Sequence, residues 1–263
     1  MPSIKADYKR LIADVAQCTA CTARCRAIRE LVNGGKPFIP LPNLDPHPGL
    51  KSSGVTVLFV AMEPTTNQWV EDDRMKTARR LVAAGMRNHG PTAMHIAVRD
   101  HLLAPGESYL LTDAAKCALP AKGAGASRKE RTQLCRDHLI REVKILRPKV
   151  IVALGGKTEQ WLRRVAREVE REGAPVLPEI VRMTHFSPQS IGPTASTLAS
   201  RHGVLRLQSR ESLDARFAQI HREQRLPAAY QRRAPYKKHD ANLIAVYREE
   251  LKEVRAALRR ARS

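Results

Sequence analysis

"VTVLFVAM", residues 55–62, is a continuous run of apolar and β-branched side chains with no polar alternation. Alternation marks a strand with one wet face, so a run without it predicts a strand buried on both faces, as in a parallel sheet covered by helices. Similar runs follow: "SYLLTDAA" (108–115), "PKVIVALG" (148–155) and "PEIVRMTH" (178–185). Between them lie segments with helical spacing: "PTAMHIAVRDHLL" (91–103), "RTQLCRDHLIREVKILR" (131–147) and "GKTEQWLRRVAREVEREG" (156–173), with "MKTARRLVAAGMRNHG" (75–90) as a further helical stretch. "KADYKRLIADVAQC" (5–18) predicts an N-terminal helix, and the Gly/Pro-rich 33–54 a long loop. Strands alternating with helices predict an α/β fold, a three-layer α/β/α arrangement around a central parallel four-stranded sheet.

In such sheets ligands bind beyond the carboxyl ends of the strands. That rule gathers the polar residues following the strands, Glu63, Asp113 and His185, toward one cleft. "LGGKT" (154–158) is not a phosphate-binding loop, because Ile151 stands where its first glycine is required.

The 46 Lys+Arg against 26 Asp+Glu give a formal charge of +20, which points to a polyanionic partner, nucleic acid before an anionic membrane surface. No apolar run reaches the ~18 residues a membrane-spanning helix needs, and the N-terminus lacks the pattern of a signal peptide. A soluble, cytoplasmic monomer is expected, with no membrane partner. Five cysteines in a reducing compartment favour metal binding over disulfides. Cys18 and Cys21 form a C-x2-C pair, and Cys117 and Cys135 lie far downstream. Four thiolates suit zinc or an iron–sulfur cluster, and spacing alone does not choose.

Taken in order and approximate spacing, the Cys18/Cys21 pair, "VLFVAMEP", "TDAAKCALP", "QLCRDHLIREVKILRPKVIVALG" and "THFSPQS" resemble the uracil-DNA glycosylase superfamily, most of all its iron–sulfur branch, family 4. The resemblance covers roughly residues 10 to 200. It implies a DNA glycosylase acting on double- or single-stranded DNA, with Cys18, Cys21, Cys117 and Cys135 as ligands of a [4Fe-4S] cluster. His185 matches the histidine of the superfamily's His-Pro-Ser loop, which hydrogen-bonds the departing base; Phe186 replaces the proline. Ser187 would hold a DNA phosphate, Gln189 stands where some relatives carry an intercalating leucine, and Ile191 is an alternative plug.

Several positions depart from the family pattern. Met62 occupies the slot of the family 4 acid, and Glu63, immediately before Pro64, takes the slot other families use to position water, which makes Glu63 the expected acid/base residue. Thr65 replaces a bulky tyrosine that would block groups at the base's C5. The family's stacking Phe has no counterpart, leaving Trp69 as the nearest aromatic. Asp113 fills the slot of the base-reading asparagine. An ionised carboxylate has no donor for uracil O4 but accepts from the N4 amine of cytosine, so Asp113 favours a C5-modified, cytosine-type base such as a hypermodified phage cytosine, in an anti-phage role. An ion pair between Asp113 and Lys116 or an arginine is the structural alternative. The rival functions are uracil excision in repair and a non-catalytic iron–sulfur DNA-binding module. Residues 1–202 are read as the glycosylase-like domain and 203–263 as a basic, mainly helical C-terminal extension, contacting DNA or packed on the body.

Overall fold

The computed structural model describes residues 3–21, 39–40, 54–62, 93–118, 128–173, 176–185 and 240–263. In chain order the elements are α1 (Ile4–Ala16), β1 (Ile39–Pro40), β2 (Val57–Ala61), α2 (Ala93–His101), β3 (Tyr109–Asp113), β4 (Cys117–Ala118), α3 (Arg128–Leu134), α4 (Arg136–Leu146), β5 (Val150–Leu154), α5 (Gly156–Arg171), β6 (Glu179–Met183) and α6 (Asp240–Arg260). Each of the four apolar runs forms a strand, and the strands make one parallel sheet in the order β3-β2-β5-β6. Every residue of β2, β3 and β5 is buried, as expected of strands covered on both faces. β6 lies at the edge and exposes Glu179 and Arg182 while burying Val181 and Met183.

Two apolar layers sandwich the sheet. On one face Leu58, Val60, Leu110, Ile151 and Ala153 meet Tyr8, Leu11 and Val15 of α1, Leu139, Val143 and Leu146 of α4, and Trp161, Leu162, Val165 and Val169 of α5. On the other, Val57, Phe59, Leu111, Val152 and Met183 meet Met94, Ala97 and Val98 of α2 and Tyr247, Leu251, Val254, Ala257 and Leu258 of α6. These are the three α/β/α layers. The C-terminal helix is therefore a structural layer of the core: a fully buried leucine or valine contributes about 1.5–3 kcal/mol, and α6 supplies several. Arg260, near its end, is ion-paired to Glu179 of β6.

Local signals explain the boundaries. Ser3 caps α1 by accepting from the Ala6 N–H (3.2 Å). α4 ends at Arg147, which adopts the left-handed conformation (φ 50°) and is followed by Pro148, which cannot continue a helix. At Gly54, φ is 91° and an added Cβ would lie 2.0 Å from the Leu146 carbonyl oxygen, so only glycine lets the chain enter β2 beside the end of α4.

Two features differ from the sequence reading. The helix expected over 131–147 begins earlier, at Arg128, and is interrupted at Cys135. Hydrogen bonding passes through the break, from the Cys135 N–H to Arg131 O (3.0 Å) and from the Leu139 N–H to Cys135 O (3.2 Å). The long loop expected over 33–54 contains a two-residue strand, β1, paired antiparallel with β4, with Pro40 opposite Cys117. The helix expected over 75–90 lies outside the described residues.

Candidate active site

The chain runs from β2 out to β3 and then returns to the other side of β2 as β5, so the strand order reverses between β2 and β5; at such a reversal open parallel sheets carry their ligand crevice, beyond the carboxyl ends of the strands. Asp113 is the last residue of β3, opposite Ala61 in the ladder, and is buried. Beyond it, the Ala114 N–H donates to Ala61 O (2.8 Å) and the Ala115 N–H to Met62 O (3.0 Å), so the loop leaving β3 is zipped to the loop leaving β2. On the far side, the Gly155 N–H donates to Met183 O (2.8 Å), joining the exits of β5 and β6. Gly155 has φ 90° and sits against His185, where an added Cβ would be 3.6 Å from the His185 Cβ. Asp113 and His185 thus stand at the same end of the sheet, on the two edge strands, whose axes are three strand spacings or roughly 14 Å apart.

Burial holds the His185 imidazole below the ordinary histidine pKa of 6.5, so the ring is neutral near pH 7, with one N–H to donate and one lone pair to accept. The residue before it is gripped by the C-terminal helix. The Thr184 N–H donates to Glu250 Oε2 (2.9 Å) and the Thr184 hydroxyl to Glu250 Oε1 (2.7 Å).

The loop after β3 is anchored from below. Lys116 Nζ donates to Glu142 Oε2 (2.5 Å) and to Thr112 Oγ1 (2.6 Å); Thr112 in turn donates to Glu142 Oε2, and the Tyr8 hydroxyl to Glu142 Oε1 (both 2.9 Å). Both charged side chains are almost wholly buried, 3% and 4% exposed. The ammonium of Lys116 is thus directed to Glu142 and Thr112. The same lysine's backbone N–H donates to Cys135 Sγ (3.3 Å).

Cys18 comes near that contact through α4. His138, on the first turn of α4 after Cys135, brings its Nε2 to 3.3 Å from Cys18 Sγ, joining α1 to α4. Burial, ahead of a raising influence from Cys135, lowers the His138 pKa, so its ring is neutral and suited to donate Nε2–H to a thiolate. Cys21 and Cys135 are buried and Cys18 is half-buried. Cys117 follows Lys116 directly and is described by its backbone in β4. Among the described residues no group of three or more His, Cys, Asp or Glu side chains is close enough to hold a metal. The donor set nevertheless suits a thiolate-ligated group: soft sulfur ligands, with a backbone N–H donated to Cys135 and the His138 ring beside Cys18.

Glu63, Thr65, Trp69, Ser187, Gln189 and Ile191 lie outside the described residues. Sequence reasoning missed Glu142, His138 and Glu250. Glu142 was signalled, because it falls on the apolar stripe Leu139–Val143–Leu146 where a carboxylate demands a partner. Glu250 gave no comparable signal.

Among the described residues no helix is long and apolar enough to cross a membrane. Comparison with curated proteins finds no matching relative. The model of the uracil DNA glycosylase superfamily matches residues 57–208, from the first strand of the parallel sheet past the His185 loop, and that span takes in β2, β3, β5 and β6 with both Asp113 and His185. With more than half its length matched, on a sheet whose strand order places the crevice where those two side chains stand, the chain belongs to the uracil-DNA glycosylase superfamily.

Proposed function

We propose that this superfamily member is a monofunctional DNA glycosylase that flips out a C5-substituted, cytosine-type base and hydrolyses its glycosidic bond, leaving an abasic site. The observation that carries the reading is Asp113: a carboxylate, where the family reads uracil with an amide, buried at the carboxyl end of β3 across the crevice from His185. The base would sit between them, its N4 amine donating to Asp113. As the C1′–N1 bond breaks, its electron pair moves onto the base, and the neutral His185 ring donates a hydrogen bond to the base O2 as charge develops. Glu63 would take a proton from the water that attacks C1′ and favour the cationic sugar electrostatically. Thr65 would leave room at C5, Trp69 would offer a stacking face, and Ser187, Gln189 and Ile191 would hold the phosphate and fill the vacated stack. A hypermodified phage cytosine is the substrate class that keeps such an enzyme from damaging the host's own DNA, which makes the role one of defence.

The cysteines belong to the same proposal. Cys18, Cys21, Cys117 and Cys135 would hold a [4Fe-4S] cluster that ties the N-terminal segment to the core, a structural duty with no step of the hydrolysis assigned to it. Protein purified without oxygen should be brown and carry iron in a fixed ratio, and Cys18→Ala should lose both and expose residues 3–21 to proteolysis. A colourless protein with stoichiometric zinc would overturn the iron assignment.

The substrate test compares wild type and Asp113→Asn on duplexes of one sequence carrying uracil, cytosine or glucosylated hydroxymethylcytosine, with alkali revealing abasic sites. Loss of one polar pairing should lower excision of the cytosine-type base by about 5- to 150-fold and bring in uracil activity. Wild type that excises uracil, ignores every cytosine derivative and loses uracil activity on Asp113→Asn would make this an ordinary uracil enzyme; tight DNA binding with no excision at all would make it a binding module.

A further inference from the structure

The helix α6 lies beyond residue 208, where the family match ends, yet it holds the residue next to His185. We infer that Glu250 on α6 is a positioning residue for the His185 loop, fixing the start of that loop through two hydrogen bonds to Thr184. This rests on the reading of His185 as the group that stabilises the departing base.

Among the described residues β6 is an edge strand, with no neighbouring strand on its outer side to take a backbone N–H beyond Met183. The Glu250 carboxylate takes the place of that strand: one oxygen accepts from the Thr184 backbone and the other from its hydroxyl, so both the chain path and the side-chain rotamer of Thr184 are set. On the inner side the Gly155 N–H holds Met183 O. The chain is clamped from both sides immediately before His185, which is the arrangement required of a group that must meet developing charge within a fraction of an ångström. Glu250 itself is held rigidly, because Leu251 next to it and Tyr247 and Val254, one turn to either side, are buried in the core. The helix thus transmits the rigidity of the core to the loop.

The test uses the full-length protein in single-turnover excision of the base identified by the substrate panel, together with duplex affinity and the ring signals of 15N-labelled histidine. Glu250→Ala and Thr184→Val should each slow excision roughly 10- to 100-fold, leave duplex affinity within about threefold, and shift the His185 ring signals. The double variant should be no slower than the slower single one, since both remove the same contact. Glu250→Gln should recover most of the rate, because its amide oxygen accepts from the Thr184 N–H while its NH2 donates to the hydroxyl. Leu251→Ala, which destabilises the same helix without touching Thr184, supplies the structural control.

Full activity and unmoved His185 signals in Glu250→Ala, in a protein where His185→Ala is inactive, would overturn the inference while leaving the catalytic reading intact. So would a loss in Glu250→Ala that simply tracks the loss of stability in Leu251→Ala. If instead His185→Ala excises normally, or no base of the panel is cut, the catalytic reading falls. The ring signals of Glu250→Ala then still decide whether the loop is positioned.

Discussion

The two edge strands hand their polar residues to the crevice by different means. The loop after β3 is anchored by an ion pair between Lys116 and Glu142 that is almost entirely buried and closed by Tyr8 and Thr112. The loop after β6 is held by the half-buried Glu250, at the margin of the apolar face of α6. The difference is one of cost. A buried pair gains little over an apolar substitute but is expensive to break on one side, because the survivor is left charged in a medium that cannot solvate it. A half-buried carboxylate can be lost at modest cost to folding, so its effect falls on geometry. One grip builds the domain, and the other tunes it.

Removing one partner of the buried pair should therefore give the largest effect. Glu142→Leu leaves the Lys116 ammonium unpaired and should destabilise the fold by about 3–5 kcal/mol, read as a lowered denaturation midpoint. The double variant Lys116→Met, Glu142→Leu should recover most of that loss. A mild single variant, or a double variant worse than the single, would break the distinction between the two grips. Because the Lys116 backbone also donates to Cys135, Glu142→Leu should loosen the cysteine region too, which iron content would report.

Next in size is the effect on chemistry. His185→Ala should keep duplex binding and lose roughly 10²- to 10³-fold in excision, since its hydrogen bond counts only as charge reaches the base. Glu63→Gln should behave in the same way if it handles the proton of water. A loss of affinity instead of rate in His185→Ala would turn it into a binding residue.

The two grips also differ in how far they could be read from the sequence. β2 and β5 were legible because a strand buried on both faces is apolar throughout, as "VLFVA" and "VIVAL" are, whereas β3 ends in Thr112 and Asp113 and the edge strand β6 carries Glu179 and Arg182. The place of Asp113 and His185 followed, since a parallel sheet sends every strand end to one side. Glu142 interrupts an apolar helical stripe and so announced a buried partner, though nothing in the spacing named Lys116, 26 residues away. Glu250 lies 66 residues from Thr184, and its glutamate is of the kind any solvated helix carries; only the packing of α6 onto β6 brings the two together. The pairing of β1 with β4 was hidden for a related reason. Two residues are too few to show a period, and Pro40 argues locally against a strand.

The smallest expected effect concerns pH, and it separates the two edges once more. His185, beside the Glu250 grip, and His101, at the end of α2 beneath α6, both have pKa values lowered from 6.5, in each case mainly by burial; for His101, Asp100 opposes this while Arg248 and Arg255 reinforce it. A histidine whose folded pKa is depressed binds fewer protons in the folded state than in the unfolded chain, so stability rises with pH across the interval between the two pKa values. Its contribution is complete above about pH 6.5 and fades as pH falls toward the folded value. Urea midpoints should therefore be flat above neutrality and decline on acidification below that point, with His101→Gln reducing the slope and leaving excision unchanged. Excision should fall over the same acidic range, because protonation puts on His185 a charge that its buried surroundings disfavour and so disturbs the position of the ring. His185→Gln should remove that part of the pH dependence from the stability curve. Should stability be independent of pH between neutrality and mild acid, neither ring is buried in its neutral form.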